Sequence, residues 1–310
     1  MVPKPQAAWR EIDWSRHQRW VSVNGDVANV IEIGEGPPLV FVHGLSGSWQ
    51  NWLLQLPEFS RDHRCIAVDL PGFGASPMPR GKISISGYGR WLDGLLGELD
   101  IDGAAVVGNS MGGFIGLEAA INLPHRVERL VLVSAAGLSV EHMRNETALR
   151  VANRLENLGQ FVTAHVLAQT DWLVRRRRGR LALMWIVAAH PEDIDPALAA
   201  EQVRGAGKPG FLPALDALTD YPIRDRLGDI QAPTLVVWGK QDRLVPIKDA
   251  YEFDKLIPHS RLIIYGDTGH VPMLERPEDF NRDLRAFLSE QPSGEGERVA
   301  AASSRKASSG

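Results

Sequence analysis

Ser110, Asp242 and His270 each lie shortly beyond a run of apolar residues. Their types are those that make a serine nucleophile: a hydroxyl, a base to take its proton, and a carboxylate to orient the base. Ser110 sits in Gly108-Asn109-Ser110-Met111-Gly112-Gly113, between Ala104-Ala105-Val106-Val107 and Phe114-Ile115-Gly116-Leu117. The pattern predicts a buried strand, a very tight turn and a helix. A serine on such a turn takes a strained backbone conformation with its hydroxyl raised above the sheet. A Cβ two residues to either side would collide with the neighbouring strand and helix, which accounts for Gly108 and Gly112.

Asp242 leaves the apolar run Thr234-Leu235-Val236-Val237-Trp238, and His270 ends the loop Gly266-Asp267-Thr268-Gly269-His270 after Arg261-Leu262-Ile263-Ile264-Tyr265. All three residues are thereby expected at one edge of a parallel sheet, where such sheets hold their ligands. His270 is expected to take the Ser110 proton on Nε2 while Asp242 holds the other ring nitrogen. Asp267, three residues before His270, is the alternative orienter, although a residue on the same short loop has little freedom to face the ring. Ser134 occupies another strand exit where an acid could stand, but it carries no charge.

An oxyanion formed at Ser110 requires donors. The sequence nominates the backbone N–H of Met111, directly after the nucleophile, and that of Leu45 in the loop His43-Gly44-Leu45-Ser46-Gly47-Ser48-Trp49. Each such donor supplies about 3–4 kcal/mol of transition-state stabilisation. His43 reads as a structural residue bonding the backbone of its loop.

The elements that must position these residues follow from the rest of the pattern. Strands near Trp20 to Val23 and Val27 to Ile33 flank a hairpin turn at Asn24-Gly25-Asp26. Thereafter strands and helices alternate, which predicts an α/β fold with a mostly parallel eight-stranded sheet flanked by helices. The helix after Ser110 is apolar on most sides, with Glu118 and Asn122 as its polar stripe. Alternation stops after Gly137. Residues 138–221 are helix-like, with Val151, Leu155, Leu158, Val162 and Val166 at helical spacing. This insertion follows the sixth strand and must leave and rejoin the catalytic edge, so a helical cap over Ser110 is expected. Trp172 and Trp185 are candidates to wall the pocket. The expected division is a polar lead-in at 1–19, a core at 20–137 and 222–291, the cap at 138–221, and a disordered Ser/Gly/Ala-rich tail at 292–310.

Composition narrows the function classes. A hydrophobic share of 44% with 23% charged residues is that of an ordinary globular protein. A net charge of −4 gives no general attraction to nucleic acid or anionic membrane. The run Arg175 to Arg178, with Arg180, reads as a solvated helix face in an acidic chain. Cys65, the single cysteine, lies in an apolar run and reads as a core residue with no internal disulfide. The histidines show no paired metal-ligand spacing. The N-terminal residues lack the apolar stretch of a secretory signal, and no segment is long and apolar enough to span a bilayer. A cytoplasmic location is expected, with oligomeric state undetermined.

His43-Gly44-Leu45-Ser46-Gly47, Asp69-Leu70-Pro71-Gly72-Phe73-Gly74-Ala75-Ser76, Gly108 to Gly113, Trp238-Gly239-Lys240-Gln241-Asp242 and Gly269-His270-Val271-Pro272 carry a resemblance. On these segments the chain resembles the α/β-hydrolase superfamily, within its group of bacterial serine hydrolases with a helical cap. The family's chain order of Ser, then Asp, then His is the order found here. The resemblance implies cleavage of a small to medium carboxylic ester through an acyl-enzyme, with no cofactor or metal. Haloalkane dehalogenases and epoxide hydrolases place Asp where this chain has Ser110. Carbon–carbon bond hydrolases of meta-cleavage products share the Gly-Asn-Ser-Met-Gly-Gly turn and are the alternative. They typically carry a glycine-rich loop after His-Gly and a Trp after the catalytic His, where this chain has Leu45-Ser46 and Val271. A reading of another class is a ligand receptor or signalling protein on the same fold. Turnover separates the two, because a sensor stalls after one event while an enzyme runs at about 1–1,000 per second.

Overall fold

The computed structural model describes residues 8–139, 170–219 and 221–290. Its strands are β1 (Gln18–Val23), β2 (Asp26–Ile33), β3 (Pro38–Val42), β4 (Arg64–Val68), β5 (Ala104–Asn109), β6 (Val127–Val133), β7 (Thr234–Gly239) and β8 (Ser260–Tyr265). They form one sheet in the order β1-β2-β4-β3-β5-β6-β7-β8. β1, β2 and β4 pair antiparallel; from β4 onward every neighbouring pair is parallel. Asn24 and Gly25 both take positive φ, 53° and 87°, which gives the hairpin a two-residue turn whose twist suits the strands.

Helices cover both faces. Among the described residues these are α1 (Leu56–Phe59), α2 (Ile85–Glu98), α3 (Met111–Asn122), α4 (Thr170–Val174), α5 (Arg177–Met184), α6 (Pro196–Arg204), α7 (Phe211–Thr219), α8 (Lys248–Leu256), α9 (Pro272–Glu275) and α10 (Pro277–Ser289). The strands divide their side chains between two cores with period two. Val40, Val42, Val106 and Leu132 pack with Tyr88, Phe114 and Phe253. Leu39, Phe41, Val107 and Val131 pack with Trp52, Phe59 and Phe280 on the other face. Every residue of β5 and β7 is buried, as a strand covered on both faces requires.

The register lines up the C-terminal ends of the parallel strands. Val42 pairs with Gly108, Asn109 with Val133, Val133 with Val237, and Gly239 with Tyr265. The loops that begin at His43, Ser110, Ser134, Lys240 and Gly266 therefore leave along one edge.

Between β6 and β7 the described residues contain helices α4 to α7 and no strand. Both ends of this insertion are tied to the core. Buried Asp249 on α8 accepts hydrogen bonds from the backbone N–H (2.8 Å) and hydroxyl (2.5 Å) of Ser139, where the chain departs. Where it returns, the Tyr221 hydroxyl donates to Glu118 Oε2 (2.5 Å), and Arg226 donates to the Tyr221 hydroxyl (2.9 Å) and to Asn122 Oδ1 (2.8 Å). The polar stripe predicted on the helix after Ser110 is thus a docking point, which is how a helix buried along residues 111–120 can carry a glutamate.

The structure bears on several further expectations. The lead-in is structured before residue 20: Trp14–Arg16 form a helical turn, β1 starts at Gln18, and Trp9 is buried in the core. Trp172 and Trp185 are 53% and 54% exposed, and the Arg176 guanidinium stacks 3.9 Å from the Trp172 ring. Arg175 to Arg178 are exposed, whereas Arg180 is buried and donates to the Val174 and Glu192 carbonyls. The helical spacing from Val151 to Val166 and the tail at 292–310 lie outside the described residues. Cys65 is buried, and that burial pushes its thiol well above the usual range. Among the described residues, no helix is long and apolar enough to cross a membrane.

Candidate active site

Ser110 takes φ 53° and ψ −115°, a conformation that strains any residue with a side chain. Neighbouring backbone over-determines it. The Ser110 N–H donates to Val133 O (3.0 Å), and its carbonyl accepts from Ala136 N–H (3.0 Å) and Phe114 N–H (3.2 Å). The elbow closes as the sequence predicts. A Cβ on Gly112 would lie 2.2 Å from Val42 O, and one on Gly108 would lie 2.3 Å from the Gly112 carbonyl carbon.

His270 Nδ1 and Asp242 Oδ2 are 2.8 Å apart, and both side chains are buried. The other carboxylate oxygen, Oδ1, accepts from the Leu244 N–H (2.8 Å) and the Val245 N–H (2.9 Å), which fixes the carboxylate plane. Asp267 instead accepts from Gln241 Nε2 (3.2 Å). The structure thus brings Asp242, and not Asp267, to the imidazole. His270 is also held through its backbone: its N–H donates to Val187 O (2.8 Å), and its carbonyl accepts from Asn109 Nδ2 (3.2 Å). Asn109 directly precedes Ser110 and also bonds Val133 O (3.0 Å), so one amide joins the histidine loop to the elbow.

With Nδ1 on the carboxylate, Nε2 is the ring nitrogen left to meet a hydroxyl. Among the described residues, no hydrogen bond joins Ser110 Oγ to His270. Such bonds are often long in substrate-free sites and tighten around substrate. Ser134 is buried at φ 46°, and its hydroxyl has no partner among the described residues.

The His43 loop passes close over the elbow: a Cβ on Gly44 would lie 3.0 Å from Ser110 Cβ. Among the described residues, neither the Leu45 N–H nor the Met111 N–H is engaged in a hydrogen bond. Two groups shape this loop. His43 Nδ1 donates to Gly44 O (2.7 Å) and Nε2 accepts from Leu70 N–H (3.1 Å), while burial lowers the ring's pKa and keeps it neutral. Buried Asp69 accepts from Trp49 N–H, Ala75 N–H and Asn29 Nδ2, each at 2.8 Å. The sequence marked Asp69 only as part of a motif and passed over Asn109; an Asn beside the nucleophile was the available signal. His43→Ala is expected to destabilise the protein by about 3 kcal/mol, because it opens a cavity and orphans a buried N–H. Denaturant unfolding measures this.

A cavity of about 490 Å³ behind the loop, lined in part by Trp14, Gln18, Trp49 and Lys208, takes in none of the three candidate residues. Among the described residues, no group of three or more His, Cys, Asp or Glu side chains is placed to hold a metal ion. The chemistry this edge can carry is attack by an activated serine on a carbonyl carbon, with the negative oxygen received by backbone N–H groups.

Comparison with known proteins bears on that chemistry. The sequence pattern of the alpha/beta hydrolase fold matches residues 37–277. The chain is 33% identical over 281 residues to the 2-hydroxy-6-oxo-2,4-heptadienoate hydrolase of Pseudomonas putida, covering 87% of this chain and 96% of that one. Among solved structures it is similar to a serine hydrolase involved in carbazole degradation (29% identity, TM-score 0.69, 88% of this chain and 98% of the other). It is also similar to an N-acyl homoserine lactone degrading enzyme (26% identity, TM-score 0.70, 87% and 100%).

Proposed function

Because the chain belongs to the α/β-hydrolase fold family, we propose that it is a serine hydrolase cleaving the carbon–carbon bond of a 2-hydroxy-6-oxo-2,4-dienoate. The observation that carries this reading is the likeness, over 87% of the chain, to a relative named for such a substrate. The buried imidazole–carboxylate pair beside a strained serine supports it. Ester hydrolysis, the first expectation from the sequence, uses the same machinery. It is the second reading, favoured by the likeness to a lactone-degrading enzyme. Leu45-Ser46 and Val271 depart from the usual carbon–carbon hydrolase pattern at single positions, whereas the likeness runs through the whole core.

In this reading Ser110 Oγ attacks the C6 ketone while His270 Nε2 takes its proton and Asp242 steadies the imidazolium. The Leu45 and Met111 N–H groups receive the oxyanion. A carbon leaving group departs only as a stabilised carbanion. The substrate must therefore first carry its ketone at C2 and a saturated C5. When the C5–C6 bond breaks, its electron pair then runs through C3=C4 to the C2 oxygen, which takes the proton from His270, and the dienol leaves. Water activated by His270 releases the acyl group as a carboxylic acid. In this reading helices α4 to α7, between β6 and β7, form part of a cap over this cleft.

Purified protein given 2-hydroxy-6-oxo-2,4-heptadienoate and a short-chain p-nitrophenyl ester in parallel tests the proposal. The expected result is a kcat/KM for the dienoate at least about ten-fold above that for the ester, a margin of about 1.4 kcal/mol in transition-state binding. Turnover of the ester alone would overturn it.

A further inference from the structure

Glu275, at the end of α9, makes a set of hydrogen bonds that the reaction above does not use. Its Oε1 accepts from Gly269 N–H (2.7 Å), and its Oε2 accepts from Ala189 N–H (2.7 Å) and His190 N–H (3.4 Å). One carboxylate therefore holds the residue before His270 and the inserted segment together. Three further bonds cross the same seam. His270 N–H donates to Val187 O (2.8 Å), and Arg243 Nη1 donates to Ala188 O (2.9 Å) and to Trp185 O. Residues 185–190 are thereby stitched to the two loops that carry Asp242 and His270.

We propose that Glu275 is a positioning residue: it seats residues 187–190 against the His270 loop, so that the imidazole is aligned only when this part of the insertion is docked. This rests on the reading of His270 as the general base. The physical reason is that the acceptor for the His270 N–H belongs to the insertion rather than to the sheet. If the segment lifts, that buried donor loses its partner and the loop relaxes. Three N–H groups converge on the Glu275 side chain, and only a group that accepts at both oxygens satisfies them. A glutamine of the same shape turns an NH₂ toward donors on one side or the other.

Gly269 supplies an independent way to break the seam. A Cβ there would lie 2.8 Å from Ala189 N and 2.9 Å from Ala188 C and Val187 O. Those neighbours are backbone atoms, so Gly269→Ala must push the segment away while leaving the Glu275 carboxylate in place.

The test compares wild type, Glu275→Gln and Gly269→Ala by steady-state kinetics on 2-hydroxy-6-oxo-2,4-heptadienoate and by amide hydrogen exchange read by mass spectrometry. Misplacement of a reacting group by about 1 Å costs on the order of 100-fold. The expected result is a kcat lowered about 10- to 100-fold in both variants with KM changed less than about three-fold. Exchange should quicken together at 185–190 and 268–271 and nowhere else. A kcat within about two-fold of wild type in both variants, or faster exchange in only one of the two segments, would overturn the proposal. If Glu275→Gln does not fold, Gly269→Ala carries the same comparison. A failure of the functional reading looks different: the wild type leaves the dienoate untouched, while the exchange comparison still decides whether the seam exists.

Discussion

Ser110→Ala is expected to lower kcat/KM by about 10⁴- to 10⁶-fold while the fold survives, since removing a nucleophile removes the acyl-enzyme route itself. Two features make this a clean experiment. The strain at φ 53° bears on alanine as much as on serine, so the substitution neither relieves nor adds backbone cost. The bonds that hold the elbow come from the Ser110 N–H and C=O, which alanine keeps. Unfolding midpoints of the two proteins should agree closely. Activity equal to wild type in the alanine variant would remove Ser110 from the mechanism.

Asp242→Asn should cost about 10³- to 10⁴-fold in kcat. Asp242 Oδ2 meets the ring N–H while Oδ1 meets the Leu244 and Val245 N–H groups, so both oxygens must accept. An asparagine satisfies one side and presents its NH₂ to the other. If the NH₂ faces His270, the ring is driven to the tautomer that protonates Nε2, and the base has no site for the serine proton. Asp267→Asn should change kcat by less than about three-fold, because among the described residues that carboxylate bonds only Gln241, at the surface. Measuring the two variants side by side decides which acid serves the histidine; equal losses would defeat the assignment to Asp242.

The elbow was legible because its cause is local. Gly108 and Gly112 are required by contacts that any strand–turn–helix of this tightness makes, and those contacts have the distances the turn demands. The alternation of strands and helices was legible for a similar reason, since a sheet covered on both faces leaves continuous apolar runs such as Thr234–Gly239.

Other features depend on partners remote in the chain. Nothing near Glu275 in sequence announces that its carboxylate meets Ala189, because the segment arrives from an insertion. Trp172 and Trp185 carry the same helical signal whether they face a cleft or water, and both are exposed. The choice between Asp242 and Asp267 turned on which loop faces the ring, a matter of how β7 and β8 align their ends.

What the residues alone determined is the α/β-hydrolase fold and the tight turn that carries Ser110, because tight turns and buried strands impose short-range steric rules. Tertiary structure decided which acid reaches the histidine and what holds the histidine in place, because those are contacts between loops that only the packed sheet brings together.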